Sequence, residues 1–208
     1  PSEIDGMKVT TIGMSAFSGC SALESIKIPE GVTTIYSGAF YGCTNLKTVD
    51  FTDCVQDTTN WITALYNVKS ITSMTGLETL NASDGVLLGQ MFFGTDLSNV
   101  GIIDMSGMTC KIGSAPSFPG TKVTTIKMGF DWSNITGNLP SYMFADFNTL
   151  ENMEWGRNLK ANFPNNVSLS RHNNLTVQSL LNLFNALYNF SEEGDAHTID
   201  IGATNIAK

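Results

Sequence analysis

Apolar and polar positions follow a pattern that the chain writes twice between residues 9 and 54. "VTTIGMSAFSGCSALESIKIPEG" (9–31) is followed at once by "VTTIYSGAFYGCTNLKTVDFTDC" (32–54). Val9 aligns with Val32, Ile12 with Ile35, Ala16-Phe17 with Ala39-Phe40, Cys20 with Cys43, Leu23 with Leu46, Ile26 with Val49, and Ile28 with Phe51. The shared positions are apolar, and those between are mostly polar or small. A repeat of 23 residues is the signature of a solenoid of short strand-containing coils, none of which buries its own apolar edge without a neighbour.

Each unit closes on a period-2 alternation, the pattern of a short strand with one face buried. The pattern predicts strands at "ESIKI" (24–28), "KTVDF" (47–51), "ETLNA" (78–82), "GIIDM" (101–105), "TTIKM" (124–128), "ENMEW" (151–155) and "HTIDI" (197–201). Their central residues are Ile26, Val49, Leu80, Ile103, Ile126, Met153 and Ile199, and the final step of 46 is twice 23. That step predicts a further coil with "NVSLS" (166–170) as its strand. Eight parallel strands at ~4.8 Å would stack to roughly 35–40 Å. In "LPSYMFADFNTLENMEW" Phe147 stands where the second unit has Cys43, which makes the cysteine column a packing column.

Two helices interrupt the strand pattern. Trp61, Ile62, Leu65 and Tyr66 share one helical face after Thr58 or Thr59 as cap. Val177, Leu180, Leu181, Phe184, Leu187 and Tyr188 form an i, i+3, i+4 stripe capped by Thr176, predicting a helix near 176–190 that covers the last coils. The predicted fold class is α/β: a solenoid built as a right-handed superhelix around one parallel sheet of about eight short strands, with an irregular convex side. Residues 1–208 read as a single domain, with repeats over 1–158 and the remaining coils and covering helix over 159–208.

Composition narrows the chemistry. The chain is 42% hydrophobic but only 14% charged, so its polar surface is built largely from Thr, Ser, Asn and Gly. A net charge of −8 repels phosphate backbones, which argues against nucleic acid as a partner. No apolar run reaches the ~20 residues a membrane span needs. The start "PSEIDGMKV" has neither the basic nor the apolar part of a signal peptide. Cys20 and Cys43 would be stacked neighbours, either as buried free thiols or close enough for a disulfide. There is no C-x-x-C pair, His172 and His197 lack metal-ligand spacing, and neither a phosphate loop nor a nucleophile elbow occurs. The expectation is therefore no catalytic residue, no cofactor and no metal. Asn81, Asn134, Asn166 and Asn174 begin N-x-[ST] triplets, which a Thr- and Asn-rich composition produces by accident and which could carry glycans only in a secreted eukaryotic protein.

The residues between the apolar strand positions would line the concave face. One column reads Ser25, Thr48, Thr79, Ile102, Thr125, Asn152 and Thr198. The next reads Lys27, Asp50, Asn81, Asp104, Lys127, Glu154 and Asp200. The candidate binding residues are Lys27, Asp50, Asn81, Asp104, Lys127, Glu154, Asp200, Thr48, Thr79, Ile102 and Thr125. The alternative is that both columns are only the solvated side of a sheet. Without aromatic anchors, a weak or avid interaction fits them better than a tight one.

"AFSGCSALESIKIPEGVTTI" and "AFYGCTNLKTV" closely resemble the BspA-like, or Treponema pallidum-type, leucine-rich repeat, A-F-x-x-C-x-x-L-x-x-I-x-I-P-x-x-V-x-x-I. The resemblance implies a bacterial surface-displayed or secreted protein that binds protein, host matrix or glycan partners without catalysis. It also places Pro1 at the position of Pro29, as in an excerpt from a longer chain. Two alternatives stand beside adhesion: a rigid spacer or fibre element, and an accessory module of a larger secreted enzyme.

Overall fold

The structure is a computed structural model. It describes residues 1–53, 64–65, 67–79, 86–87, 92, 95–114, 118, 123–133, 149–156, 166–168, 174–186 and 198–200.

Coil lies on coil as the 23-residue repeat requires. Strands β1 (Ser25–Lys27), β2 (Thr48–Asp50) and β3 (Ser73–Thr75) form one parallel ladder, with Ile26 beside Val49 and Val49 beside Met74. Strands β4 (Ile102–Met105), β5 (Thr125–Met128) and β6 (Asn152–Glu154) form a second, with Ile103 beside Ile126 and Ile126 beside Met153. Each coil enters its ladder through one recurring bond: Lys47 N–H donates to Glu24 O, Thr72 to Lys47, Thr124 to Gly101, Glu151 to Thr124 and Thr176 to Glu151.

The apolar columns are continuous and dry. Leu46, Ile71, Val100, Val123, Leu150 and Leu175 repeat the leucine position and are all at most 2% exposed. Phe51, Leu77, Met105, Met128 and Trp155 fill the position that ends or follows the strand, again at most 2% exposed. A strand three residues long has no stability alone; lateral burial of these columns holds it. Above the ladders, Thr11–Ile12 pairs with Thr34–Ile35, and Val86–Leu87 pairs with Ile112–Ser114, so two further parallel pairs lie outside the main ladders.

Four expectations need correction. The third ladder strand is Ser73–Thr75, not "ETLNA"; Leu77–Thr79 is a 3-10 turn, and 80–82 lie outside the described residues. "ALYNVKSITSMTGL" (64–77) is a third copy of the repeat, 25 residues after the second, with Ala64, Leu65, Val68 and Ile71 buried in its columns. Gly76 conceals it. Its backbone crosses Phe51–Thr52 so closely that a Cβ would collide there, and its φ of +81° turns Leu77 inward one residue late. The strand position falls out of step by that residue, and β4 packs beside the 3-10 turn, not beside β3. Second, Ala64 and Leu65 lie in a turn and not on the helix expected there; 58–63 and Tyr66 lie outside the described residues.

Third, Asn166–Ser168 is a strand and pairs in parallel with Thr198–Asp200 as expected, but among the described residues this pair does not join the ladder of β6. The place beside β6 is taken by helix α1 (Val177–Ala186), the expected covering helix, with 187–190 outside the described residues. Thr176 caps it by accepting the Ser179 N–H at 3.2 Å. Ser179 Oγ accepts the Met153 N–H at 2.9 Å and donates to Glu151 O at 3.0 Å, and Asn182 Nδ2 donates to Met153 O at 3.2 Å. Side chains of the helix therefore satisfy the backbone of an edge strand, which closes that edge. Fourth, the cysteine column is buried at Cys43 but exposed at Cys20, and both are free thiols.

Candidate functional site

The exposed side of the two ladders is the candidate site. Its first column is Ser25, Thr48 and Ser73, then Ile102, Thr125 and Asn152; its second is Lys27, Asp50 and Thr75, then Asp104, Lys127 and Glu154. Ladder pairing thus places eight of the eleven residues picked from sequence, bringing together Lys27, Thr48 and Asp50 on the first ladder and Ile102, Asp104, Thr125, Lys127 and Glu154 on the second. The other three do not join them. Thr79 sits in the 3-10 turn, Asn81 lies outside the described residues, and Asp200 belongs to the separate pair. Ser73 and Thr75 take the places expected for Thr79 and Asn81.

The acidic residues have structural work to do. Asp50 Oδ1 accepts the Thr52 N–H at 2.9 Å, the Thr52 hydroxyl at 2.5 Å and the Thr75 hydroxyl at 3.1 Å. Asp104 Oδ1 accepts the Ser106 N–H at 3.0 Å and hydroxyl at 2.6 Å, and Asp131 and Asp96 accept the N–H of Ser133 and Ser98 in the same way. Each is an Asx turn that ends a strand or loop. Asp-x-[Ser/Thr] at 50–52, 96–98, 104–106 and 131–133 is the signal that would have found them in the sequence. The two lysines are paired as well: Lys27 Nζ lies 2.7 Å from Asp53, and Lys127 Nζ lies 2.9 Å from Asp104.

These contacts set the titration. The Thr52 hydroxyl, then its N–H, hold the Asp50 carboxyl below the usual range against slight burial, with Thr75 and the Lys27 charge adding to them. At Asp104 burial pushes the carboxyl up as the largest single effect. The Ser106 hydroxyl, the Lys127 hydrogen bond, the Ser106 N–H and the Lys127 charge together outweigh it, so the net direction is down. Lys27 and Lys127 are raised by the hydrogen bond and charge of Asp53 and Asp104 respectively.

A pH dependence follows. A depressed carboxylate stabilises the fold above the unfolded Asp value of about 3.9 and loses that contribution as pH falls through the folded value. A raised lysine contributes fully below about 10.4 and loses that contribution as pH rises through the folded value. Thermal melts should show a plateau between these limits, and Asp104→Asn should make the acid limb shallower. An unchanged acid limb in that variant would remove Asp104 from the account.

One residue of the face has no structural reason to be there. Ile102 is 56% exposed in a column otherwise made of hydroxyl and amide side chains. Two strands away in the same column, Asn152 is exposed and accepts from the Thr176 hydroxyl at 3.3 Å, and Glu154 is exposed at the end of its column. Among the described residues no three His, Cys, Asp or Glu side chains group as a metal site needs, and no helix is long and apolar enough to cross a membrane.

Comparison with known proteins adds the following. The sequence model of the BspA type leucine-rich repeat region matches residues 3–109 in six copies, just over half of the chain. No curated protein matches it. Among solved structures, the crystal structure of a T. pallidum leucine-rich repeat protein is similar at 16% identity and a TM-score of 0.48, over 98% of this chain and 84% of that one.

Proposed function

Because the chain belongs to the BspA-type leucine-rich repeat family, whose repeat fold supports protein interaction, we propose that it is a non-enzymatic adhesion module of a cell surface or secretome. Its partner is a protein or matrix component, and contact is made through the exposed face of the second ladder. The observation that carries this reading is Ile102, a large aliphatic side chain 56% exposed on the ladder face, with Thr125 beside it on the next strand and Asp104 two residues along its own. An exposed aliphatic side chain that a partner desolvates is one way to anchor a small hot spot.

The experiment is binding of the multimerised chain to immobilised matrix proteins and glycans. Ile102→Ser should cost about tenfold or more in affinity, the loss of one modest hot spot. An exposed substitution away from caps leaves stability within about 0.5 kcal/mol, so the melting temperature should hold. Binding by no member of the panel, or binding indifferent to both Ile102→Ser and Glu154→Lys, would end the adhesion reading.

A second reading, a rigid spacer, is favoured by the internal pairing of Lys27, Asp50, Asp104 and Lys127, which leaves these charges engaged within the fold. Charge reversal at Asp50 or Asp104 would break an Asx turn as well as change the face, so Ile102 and Glu154 are the cleaner probes. A spacer loses nothing on their substitution.

A further inference from the structure

The face of the second ladder is bounded on both sides within the chain, by the 3-10 turn Leu77–Thr79 beside β4 and by α1 beside β6. Its charge balance differs from that of the first ladder. There, acid and base are matched: Glu24 pairs with Lys47 at 3.4 Å and Lys27 with Asp53 at 2.7 Å. In β4, β5 and β6 the one cation is Lys127, and Asp104 engages it at 2.9 Å. Three glutamates are left over. Glu78 is exposed on the 3-10 turn, Glu151 at the entry to β6 and Glu154 at its end. None of the three has an ion pair among the described residues. The repeat shows why Glu151 lacks one. It holds the position of Glu24, but one coil on, where Glu24 has Lys47, stands Thr176.

We propose that the partner of this face is a cationic protein segment, with Lys or Arg on both sides of one aliphatic or aromatic side chain that covers Ile102. The inference rests on the adhesion reading and names the chemistry of the partner. Two features select it. Ile102, 56% exposed, gains only from a side chain that takes its surface out of water. It also lies between carboxylates, with the turn of Glu78 on one side of β4 and Glu154 two strands away on the other. Charge complementarity speeds encounter and orients the partner, and like charges brought together are costly. An acidic protein or a sulfated glycan would set its anions against Glu78, Glu151 and Glu154.

The ladder sets the spacing of that segment. Neighbouring strands lie ~4.8 Å apart and an extended chain advances ~3.3 Å per residue, so β4 to β6 spans about three residues of a segment laid across the strands. A basic residue about three positions from the apolar one therefore comes over Glu154. On the other side the turn of Glu78 is the immediate neighbour of β4, so a basic residue about two positions away comes over it. The long stems of Lys and Arg take up the remaining difference and cover apolar surface as they do so.

The probe is a synthetic peptide with capped ends, Lys-Ser-Ser-Leu-Ser-Lys, and its control carries Glu in place of both Lys. Each is titrated into the 208-residue chain with labelled isoleucine methyl groups, the Ile102 signals being assigned by their loss in Ile102→Ser. The Lys peptide should shift the Ile102 signals, and the Glu peptide should leave them unmoved. Glu154→Lys should weaken binding of the Lys peptide about fivefold or more, as for loss of one exposed ion pair. Salt raised to about 0.3 M should weaken the unsubstituted chain more than that variant, because the pair it screens is already gone. Ile102 signals that stay still at millimolar Lys peptide, or that move equally with the Glu peptide, overturn the proposal. The adhesion reading fails separately, on the panel of immobilised matrix proteins and glycans. A panel member bound through Ile102 by an acidic or uncharged segment would overturn the cationic partner alone.

Discussion

Gly156→Ala is expected to lower the melting temperature by roughly 5–15 °C, which for a chain of this size is several kcal/mol at about 2–4 °C per kcal/mol. Gly156 follows the sixth ladder strand with φ +76°, a left-handed backbone that costs an L-residue about 1–2 kcal/mol. Space is the larger obstacle. An added Cβ would collide with Phe130 O and lie 2.9 Å from Phe130 N and 3.2 Å from Gly129 C, all backbone of the preceding coil. Backbone of a packed coil cannot swing aside as a side chain does. The coils must part, and overpacking of that kind costs about 1–3 kcal/mol more. Parting them also pulls Trp155 O away from the indole N–H of Trp132, a buried bond between consecutive coils. Thermal denaturation of the variant measures the effect, and a shift of less than a degree or two would mean that the coils are not in backbone contact there.

Phe40→Ala is expected to cost about 3–5 kcal/mol, the range for deleting a buried aromatic side chain. Phe40 is 1% exposed and stacks on Phe17, with ring centroids 5.4 Å apart and planes 8° from parallel. The same substitution at Phe17 should cost visibly less, because Phe17 is only partly buried and leaves less of a cavity. Two phenylalanines of one column, one repeat apart, should thus differ in stability by their place in the stack alone. Chemical denaturation of both variants checks this, and equal losses would contradict the burial gradient between the first two coils.

The parts of the fold visible in the sequence are those where one side chain type recurs at a fixed step. Ile26, Val49, Ile103, Ile126 and Met153 were placed correctly because each is followed two residues later by another apolar side chain that marks the strand's inner face. The third coil was misread because Gly76 stands at that marking position. Leu77 takes over one residue late, and "ETLNA" then offers a better alternation than the true strand. The place of "NVSLS" was misread because the step of 46 suggests a further coil in the ladder, whereas the slot beside Met153 belongs to a helix whose Ser179 and Asn182 reach back to the strand. Of the candidate face, its columns followed from strand alternation. Which of their charges were already engaged did not. Asp53 pairs with Lys27 from beyond the strand, and that contact is set by how the chain turns after Asp50 and not by spacing. The first hairpin is absent from the expectations, although its Asp-Gly, with φ +52° and +75°, is a dipeptide that tolerates two consecutive left-handed residues.

The central claim is that consecutive coils stack in the register that sets Ile103 against Ile126 and Val49 against Met74. Methyl-to-methyl nuclear Overhauser effects in a specifically labelled sample test it most directly. Cross-peaks should join Ile26 to Val49, Val49 to Met74, Val100 to Val123 and Ile103 to Ile126. Cross-peaks from Val49 to Leu80 in place of Met74, or none between Ile103 and Ile126, would contradict it.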